Sequence, residues 1–284
     1  MATILDGKTL SMQCKEDIKK QAEALAEKGF RPGMAVVLVG ENPASKVYVR
    51  NKEKDCQECG IYSAMYHLPE ETTEQELLEL LDTLNHDPKI NGILVQLPLP
   101  KQIDSQKVIE AIDPIKDVDA FHPTNVGYLT QGMPRFAPCT PAGIVRLMEA
   151  YHIDPAGKHC VVIGRSNIVG KPMALLLLQR NGTVTICHSG TKDLKAQTLQ
   201  ADILISAVGK TGFVTADMVK DGAVVIDVAM NRNAEGKLCG DVDYPAVAEK
   251  ASAITPVPGG VGPMTIISLM KNTLKAGRGE VYGK

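Results

Sequence analysis

The chain contains no tryptophan and only four phenylalanines among its 284 residues. A core without large rings must be filled by aliphatic side chains, as suits parallel sheets covered by helices. No charge excess stands out. Thirty-one Lys and Arg against 33 Asp and Glu leave a net charge of -2, and no basic run marks a nucleic-acid or polyanion partner. Long apolar runs are missing too: none approaches the roughly 18 residues needed to span a membrane. The N-terminus, beginning Met1-Ala2-Thr3-Ile4-Leu5-Asp6, has neither the basic nor the apolar region of a signal peptide. Nor is there a disulfide framework, because the seven cysteines are odd in number and scattered from 14 to 239, as in a reducing compartment. Cys56 and Cys59 form a C-x-x-C pair, but no second pair or His pair completes a zinc site, so they read as structural thiols. The expectation is a soluble, cytoplasmic protein with no metal, no membrane contact and no nucleic-acid partner.

The length exceeds that of one ordinary domain, so two cores are expected. Apolar spacing predicts a helix over 8–28, a strand over 34–39, and a helix from Ser45, its expected N-cap, to Cys59. A strand over 61–66, a helix capped by Thr73 and running to Leu84, a strand over 90–97 and a short helix over 105–112 follow. This repetition predicts a three-layer α/β domain with a mostly parallel sheet. Residues 116–139 show little periodicity and read as a loop-rich junction. Thr140-Pro141 then predicts an N-cap and first helical position for a helix to about Tyr151. Strands over 158–163, 183–187, 201–206, 223–228 and 252–255, with helices between them, predict a Rossmann-like domain. A polar turn at 231–240 and a closing helix from Met264 to about Ala276 complete the chain. The expected domains are therefore 1–120 and 121–263, with the helix of 264–284 packed back on the first.

The strand at 158–163 ends in Gly164-Arg165-Ser166-Asn167-Ile168-Val169-Gly170 and a helical segment. A strand, a glycine turn and a helix N-terminus bind a pyrophosphate through free backbone N–H groups. The fingerprint is imperfect, with Ser166 at the second glycine position and Gly170 one place late. Dinucleotide sites for NAD carry an acidic residue at the tip of the next strand. Here that tip is Cys187-His188-Ser189, without a carboxylate, while Arg165 in the loop suits a 2′-phosphate and Ser189 offers a hydroxyl. NADP is the expected cofactor. Elsewhere Tyr48 and Lys52 stand four apart on one face of a predicted helix. Alone, that pair reads as a lysine snorkelling beside a ring. Short-chain dehydrogenases carry a Tyr-x-x-x-Lys pair after their glycine loop, whereas here it comes more than a hundred residues before.

Four more blocks stand out: Val95-Gln96-Leu97-Pro98-Leu99-Pro100, Lys116-Asp117-Val118-Asp119, Pro138-Cys139-Thr140-Pro141, and Pro256-Val257-Pro258-Gly259-Gly260-Val261-Gly262-Pro263-Met264-Thr265. With Tyr48-x-x-x-Lys52 and the glycine loop, they resemble, in order and spacing, the bifunctional methylenetetrahydrofolate dehydrogenase/methenyltetrahydrofolate cyclohydrolase family from about Leu5 to the C-terminal helix. The resemblance implies a homodimer in which tetrahydrofolate substrates bind in a cleft between a catalytic and an NADP-binding domain. It implies that Lys52 is catalytic, Tyr48 stacks on the substrate, Gln96 positions the lysine and Asp119 anchors the pterin. It further implies that Leu97, Pro258, Gly259, Gly260, Val261 and Thr265 line the folate site. Gly164, Arg165, Ser166, Ser189 and the backbone at Met230 would hold NADP. Singly, each block has a plainer reading: Gln96 satisfies a strand end, Asp119 caps a turn, and 256–263 is a rigid connection. A shikimate-like dehydrogenase gives no reason for the Lys52, Gln96 and Asp119 set, and a catalytically silent dinucleotide-binding module gives none for keeping Lys52 and the 259–265 glycines.

Overall fold

The structure, a computed structural model, describes residues 2–281, without the side chains at positions 43–45, 47 and 48. The chain forms two compact units, one of Met1–Met12 with Thr140–Thr265, the other of Gln13–Cys139 with Ile266–Lys284. It opens with β1 (Thr3–Ile4) and α1 (Gly7–Ala26). Then come β2 (Gly33–Val39), α2 (Pro43–Glu58), β3 (Tyr62–Leu68), α3 (Glu74–His86), β4 (Gly92–Val95), α4 (Ser105–Ala111) and α5 (Pro123–Thr130). The three strands form a parallel sheet in the order β3-β2-β4. Every residue of the central strand, Gly-Met-Ala-Val-Val-Leu-Val, is buried, as both faces of a parallel sheet require. Helix α3 starts in a capping box between Thr73 and Glu76 and buries Leu77, Leu81 and Leu84, spaced for one face, against Ala35, Val37 and Ile93.

The rest of the chain runs α6 (Cys139–Ala150), β5 (His159–Ile163), α7 (Gly170–Leu178), β6 (Thr183–Cys187), α8 (Leu194–Thr198), β7 (Ile203–Ser206) and β8 (Val224–Asp227). It continues through β9 (Asn231–Arg232), β10 (Leu238–Cys239), α9 (Tyr244–Ala248), β11 (Ala253–Ile254) and α10 (Val261–Gly277). Six parallel strands lie in the order β1-β11-β8-β7-β5-β6. From β5 the chain steps outward to β6, then crosses to β7 on the other side of β5. That reversal is the topological switch point at which open α/β sheets bind ligands beyond the carboxyl ends of their strands. The expected two α/β cores are present.

Several expectations meet a different structure. The compact units do not follow the expected limits of 1–120 and 121–263. Thr3 and Ile4 pair with Ala253 and Ile254, which ties the N-terminus to the six-stranded sheet. Residues 121–139 stay with the three-stranded unit, because Asp117 there accepts from the His122 N–H and Asn125 Nδ2, each at 2.8 Å. The supposed loop at 116–139 includes α5, capped by His122 with Pro123 at its start, and a parallel bridge from Asp117 to Ile93 of β4. Thr140 is not an N-cap, since α6 already begins at Cys139. Helix α2 starts at Pro43, which places Ser45 within the helix; its side chain lies outside the described residues. The polar turn at 231–240 is the β9–β10 hairpin.

Candidate active site

In the three-stranded unit, α2 carries Lys52 and the carboxyl end of β4 delivers Gln96. Lys52 Nζ donates to Gln96 Oε1 at 2.9 Å, and Gln96 Nε2 donates to the Leu97 carbonyl at 2.7 Å. The second bond orients the amide: with its nitrogen spent on a carbonyl, Gln96 can present only its oxygen to the lysine. Lys52 is half-buried as a residue, but desolvation at its amine outweighs every other influence and pushes its pKa down. The negative charge of Asp119 opposes that shift. Asp119 follows the segment bridged to β4; burial pushes its pKa up, and the Lys52 charge pulls it back. Lys52 and Asp119 are thus both driven toward neutrality, and each restrains the other. Tyr48 lies one turn before Lys52 in α2, and its side chain is outside the described residues. Leu97 is half-buried and joined to Pro98 by a cis peptide bond.

Cys139, quoted in a motif but given no role there, belongs beside this group. Its thiol is buried and donates to the Val118 carbonyl at 3.2 Å, next to Asp119. Burial and the neighbouring carboxylate push it well above the ordinary thiol range, so it stays protonated. Only its place in the Pro138–Pro141 block could have drawn attention to it. Cys56 and Cys59 are buried, and burial pushes both thiols up to about 12. They are inert packing groups.

The other residues expected at the site lie in the six-stranded unit. The 256–265 segment runs from β11 into α10 with a cis Val257–Pro258 bond and Gly259 at φ +107°. The Lys8 N–H donates to the Gly259 carbonyl at 2.8 Å. A Cβ on Gly260 would sit 2.6 Å from the Pro256 carbonyl oxygen, so the chain can double back there only as glycine. Pro258 is exposed and Val261 is buried, which leaves the backbone as what Val261 offers a ligand. Thr265 donates to the Thr140 hydroxyl at 3.1 Å.

At the switch point Gly164 takes φ +128°, and a Cβ there would lie 2.6 Å from the Ala207 carbonyl oxygen after β7. A Cβ on Gly170 would overlap the Gly164 carbonyl. Both glycines are therefore needed to fold the loop against the sheet edge. Ser166 occupies the second glycine position because its hydroxyl works inside the loop. It accepts from the Val169 N–H (3.1 Å) and the Gly170 N–H (3.3 Å) at the start of α7. Arg165 and Ser189 are exposed, and no carboxylate stands at the tip of β6. A tight loop opening a helix, with a guanidinium in the loop and a hydroxyl rather than an acid at the tip of β6, fits a phosphorylated dinucleotide. Met230 follows β8 and its sulfur lies near Gly262, 3.4 Å from where a Cβ there would sit.

The fold and these residues define a two-unit α/β protein with a dinucleotide-type loop in one unit and a desolvated lysine, glutamine and carboxylate in the other. The tetrahydrofolate dehydrogenase/cyclohydrolase catalytic-domain model matches residues 5–119, and the NAD(P)-binding-domain model of the same family matches 138–280. The chain belongs to the tetrahydrofolate dehydrogenase/cyclohydrolase family. It is 62% identical over 275 residues to the bifunctional protein FolD of a Polaromonas species, covering 97% of this chain and 98% of that one. A crystal structure of the bifunctional FolD methylenetetrahydrofolate dehydrogenase/cyclohydrolase from Campylobacter jejuni superposes with a TM-score of 0.97 at 53% identity, covering 99% and 100% of the two chains. The Trypanosoma brucei methylenetetrahydrofolate dehydrogenase-cyclohydrolase, complexed with NADP and an inhibitor, is 35% identical with a TM-score of 0.95, covering 99% of each.

Proposed function

We propose that this chain oxidises 5,10-methylenetetrahydrofolate to 5,10-methenyltetrahydrofolate with NADP, then hydrolyses the methenyl cation to 10-formyltetrahydrofolate. The observation that carries the reading is the desolvated Lys52 held by an oriented Gln96, in a chain of this family. When bound, NADP accepts the hydride from the methylene carbon. The protein's part in that step is orientation, with the Gly164–Gly170 loop, Arg165, Ser189 and the backbone at Met230 holding the cofactor. Asp119 faces the 2-amino group and ring N–H of the pterin, two adjacent donors that match a carboxylate. Tyr48 stacks on the ring system, and Leu97 with the 258–265 segment lines the folate site.

Hydrolysis needs a base. A neutral lysine can donate one N–H to Gln96 Oε1 and keep its lone pair for the attacking water. The water loses one proton to Lys52 as it bonds to the methenyl carbon. The second proton passes to N5 as the carbon–N5 bond breaks, and Lys52 returns its proton to solvent. Desolvation and the substrate's own positive charge both favour the neutral amine. Among the described residues no helix is long and apolar enough to cross a membrane. A cytoplasmic homodimer belongs to the same proposal, with light scattering as the check on assembly.

Methenyl formation followed by absorbance, with NADP and NAD in parallel, and decay of the methenyl signal test the function. Lys52→Met should lose cyclohydrolase activity by about 10²–10⁴-fold, the usual worth of a positioned acid–base group, while NADP still binds. Full hydrolysis by folded Lys52→Met would end the role of Lys52. Wild-type protein that turns over neither folate would end the function.

A further inference from the structure

Two carboxylates buried beneath the carboxyl ends of β7 and β8 have no part in the chemistry above. Asp241 is 0% exposed. One of its oxygens accepts from Ser206 Oγ at 2.9 Å and the Val208 N–H at 2.7 Å. The other accepts from the Lys210 N–H at 2.7 Å and Asn231 Nδ2 at 3.1 Å. Four donors fill the capacity of a carboxylate, so Asp241 keeps nothing for a ligand of its own. What it joins is the point. Ser206 ends β7, Val208 and Lys210 belong to the loop after it, and Asn231 opens β9 where the loop after β8 ends at Met230.

Asp227, the last residue of β8, sets Asp241 in place. Its carboxylate accepts from the Asp241 N–H (3.0 Å), the Val242 N–H (2.8 Å) and the Ala229 N–H (3.2 Å). A Cβ on Gly240 would overlap that carboxylate, so the chain approaches it only as glycine. The loop after β7 also meets the glycine loop, where Gly164 closes on the Ala207 carbonyl. One buried carboxylate therefore binds together the two loops that stand across the switch point from the pyrophosphate-binding turn.

We propose that Asp241 is a positioning residue for the cofactor, fixing the β7 and β8 loops that seat the nicotinamide half of NADP. The proposal rests on the cofactor reading above. The fold requires it to act at a distance: the glycine turn holds the phosphates, and the ring must be placed by the loops on the other side of the crevice.

Asp241→Asn keeps the shape but turns one acceptor into an NH2, which faces the N–H groups it formerly received and must release one loop. The KM for NADP should rise about tenfold or more, with kcat of the oxidation reduced. The KM for methylenetetrahydrofolate, and hydrolysis of methenyltetrahydrofolate assayed without NADP, should stay within about twofold. Asn231→Ala, which removes a single donor, should raise the NADP KM in the same direction by a smaller factor and answers the question if Asp241→Asn fails to fold. An unchanged NADP KM in the folded variants would overturn the proposal. So would an equal fall of both activities, since Asp241 would then serve the whole fold. Wild-type protein that neither binds nor reduces NADP would overturn the cofactor reading, and this proposal with it.

Discussion

Burial pushes Lys52 and Asp119 in opposite directions, and the charge of each partly restores the other. Removing one must therefore move its neighbour. Asp119→Asn deletes the negative charge that holds the Lys52 pKa up, so that pKa falls further below the ordinary lysine value. Where Lys52 acts as the neutral amine, hydrolysis switches on as pH rises through its pKa. The rising limb of kcat/KM for the cyclohydrolase, which reports the free enzyme, should move to lower pH in Asp119→Asn even as its height drops. Asp119→Glu, which keeps the charge, should leave the limb closer to its original place. An unmoved limb in Asp119→Asn would mean that another group titrates there. Lys52, Gln96 and Asp119 could all be named from motif blocks in the sequence, because each sits in a short ordered run. The amide orientation of Gln96 could not, since it depends on the turn at Leu97. Nor could the place of Cys139 beside Asp119, or the four bonds of Asp241, because buried thiols and carboxylates reveal their partners only in three dimensions.

The glycine loop shows the same contrast among elements. Its position after a β-branched strand was readable, but the start of the helix at Gly170 was not, because it depends on Ser166 taking up the first N–H groups of the turn. Gly170→Ala tests whether the close approach matters. Its Cβ would overlap the Gly164 carbonyl, so the loop must open or the helix must shift, at a cost of about 1–3 kcal/mol for an overpacked site. NADP affinity should fall about tenfold or more in a fluorescence titration, while hydrolysis of methenyltetrahydrofolate without NADP persists. NADP binding at wild-type strength would show that the cradle tolerates a side chain. Other elements were unreadable for a physical reason. Helix α5 has eight residues, a glycine at 127 and no apolar stripe, and its start depends on bonds from His122 and Asn125 back to Asp117. Strand β1 has only two residues and exists by pairing with a strand some 250 positions away. Helix α3, long and periodic, matched its pattern because local spacing and tertiary burial agree there.

In the whole molecule the chain passes between the two units three times, at 12/13, 139/140 and 265/266. Neither unit is a continuous fragment. The three-stranded unit takes its last segment from α10, and that segment donates to backbone carbonyls of this unit. Asn272 Nδ2 donates to the Val118 carbonyl at 2.8 Å and the Ala137 carbonyl at 3.1 Å. Cys56 donates to Met270 Sδ at 3.7 Å, and the Thr273 hydroxyl sits 3.2 Å from where a Cβ on Gly92 would be. A fragment of residues 1–139 would expose this face of the sheet beside β2 and β4 and leave the Val118 and Ala137 carbonyls without the Asn272 amide. Losing even one such buried partner costs about 1–3 kcal/mol, and the apolar face of a helix costs several more, against a total stability of about 5–15 kcal/mol for a domain. The fragment is therefore expected to show no cooperative thermal transition, even though it carries Lys52, Gln96 and Asp119. A sharp melt of 1–139 with dispersed amide NMR signals would refute that. If the fragment behaves as expected, the two activities can be separated by point substitutions such as Lys52→Met and Gly170→Ala but not by cutting the chain, because α10 starts just after Gly259 and Gly260 and ends by completing the core of the unit that carries Lys52.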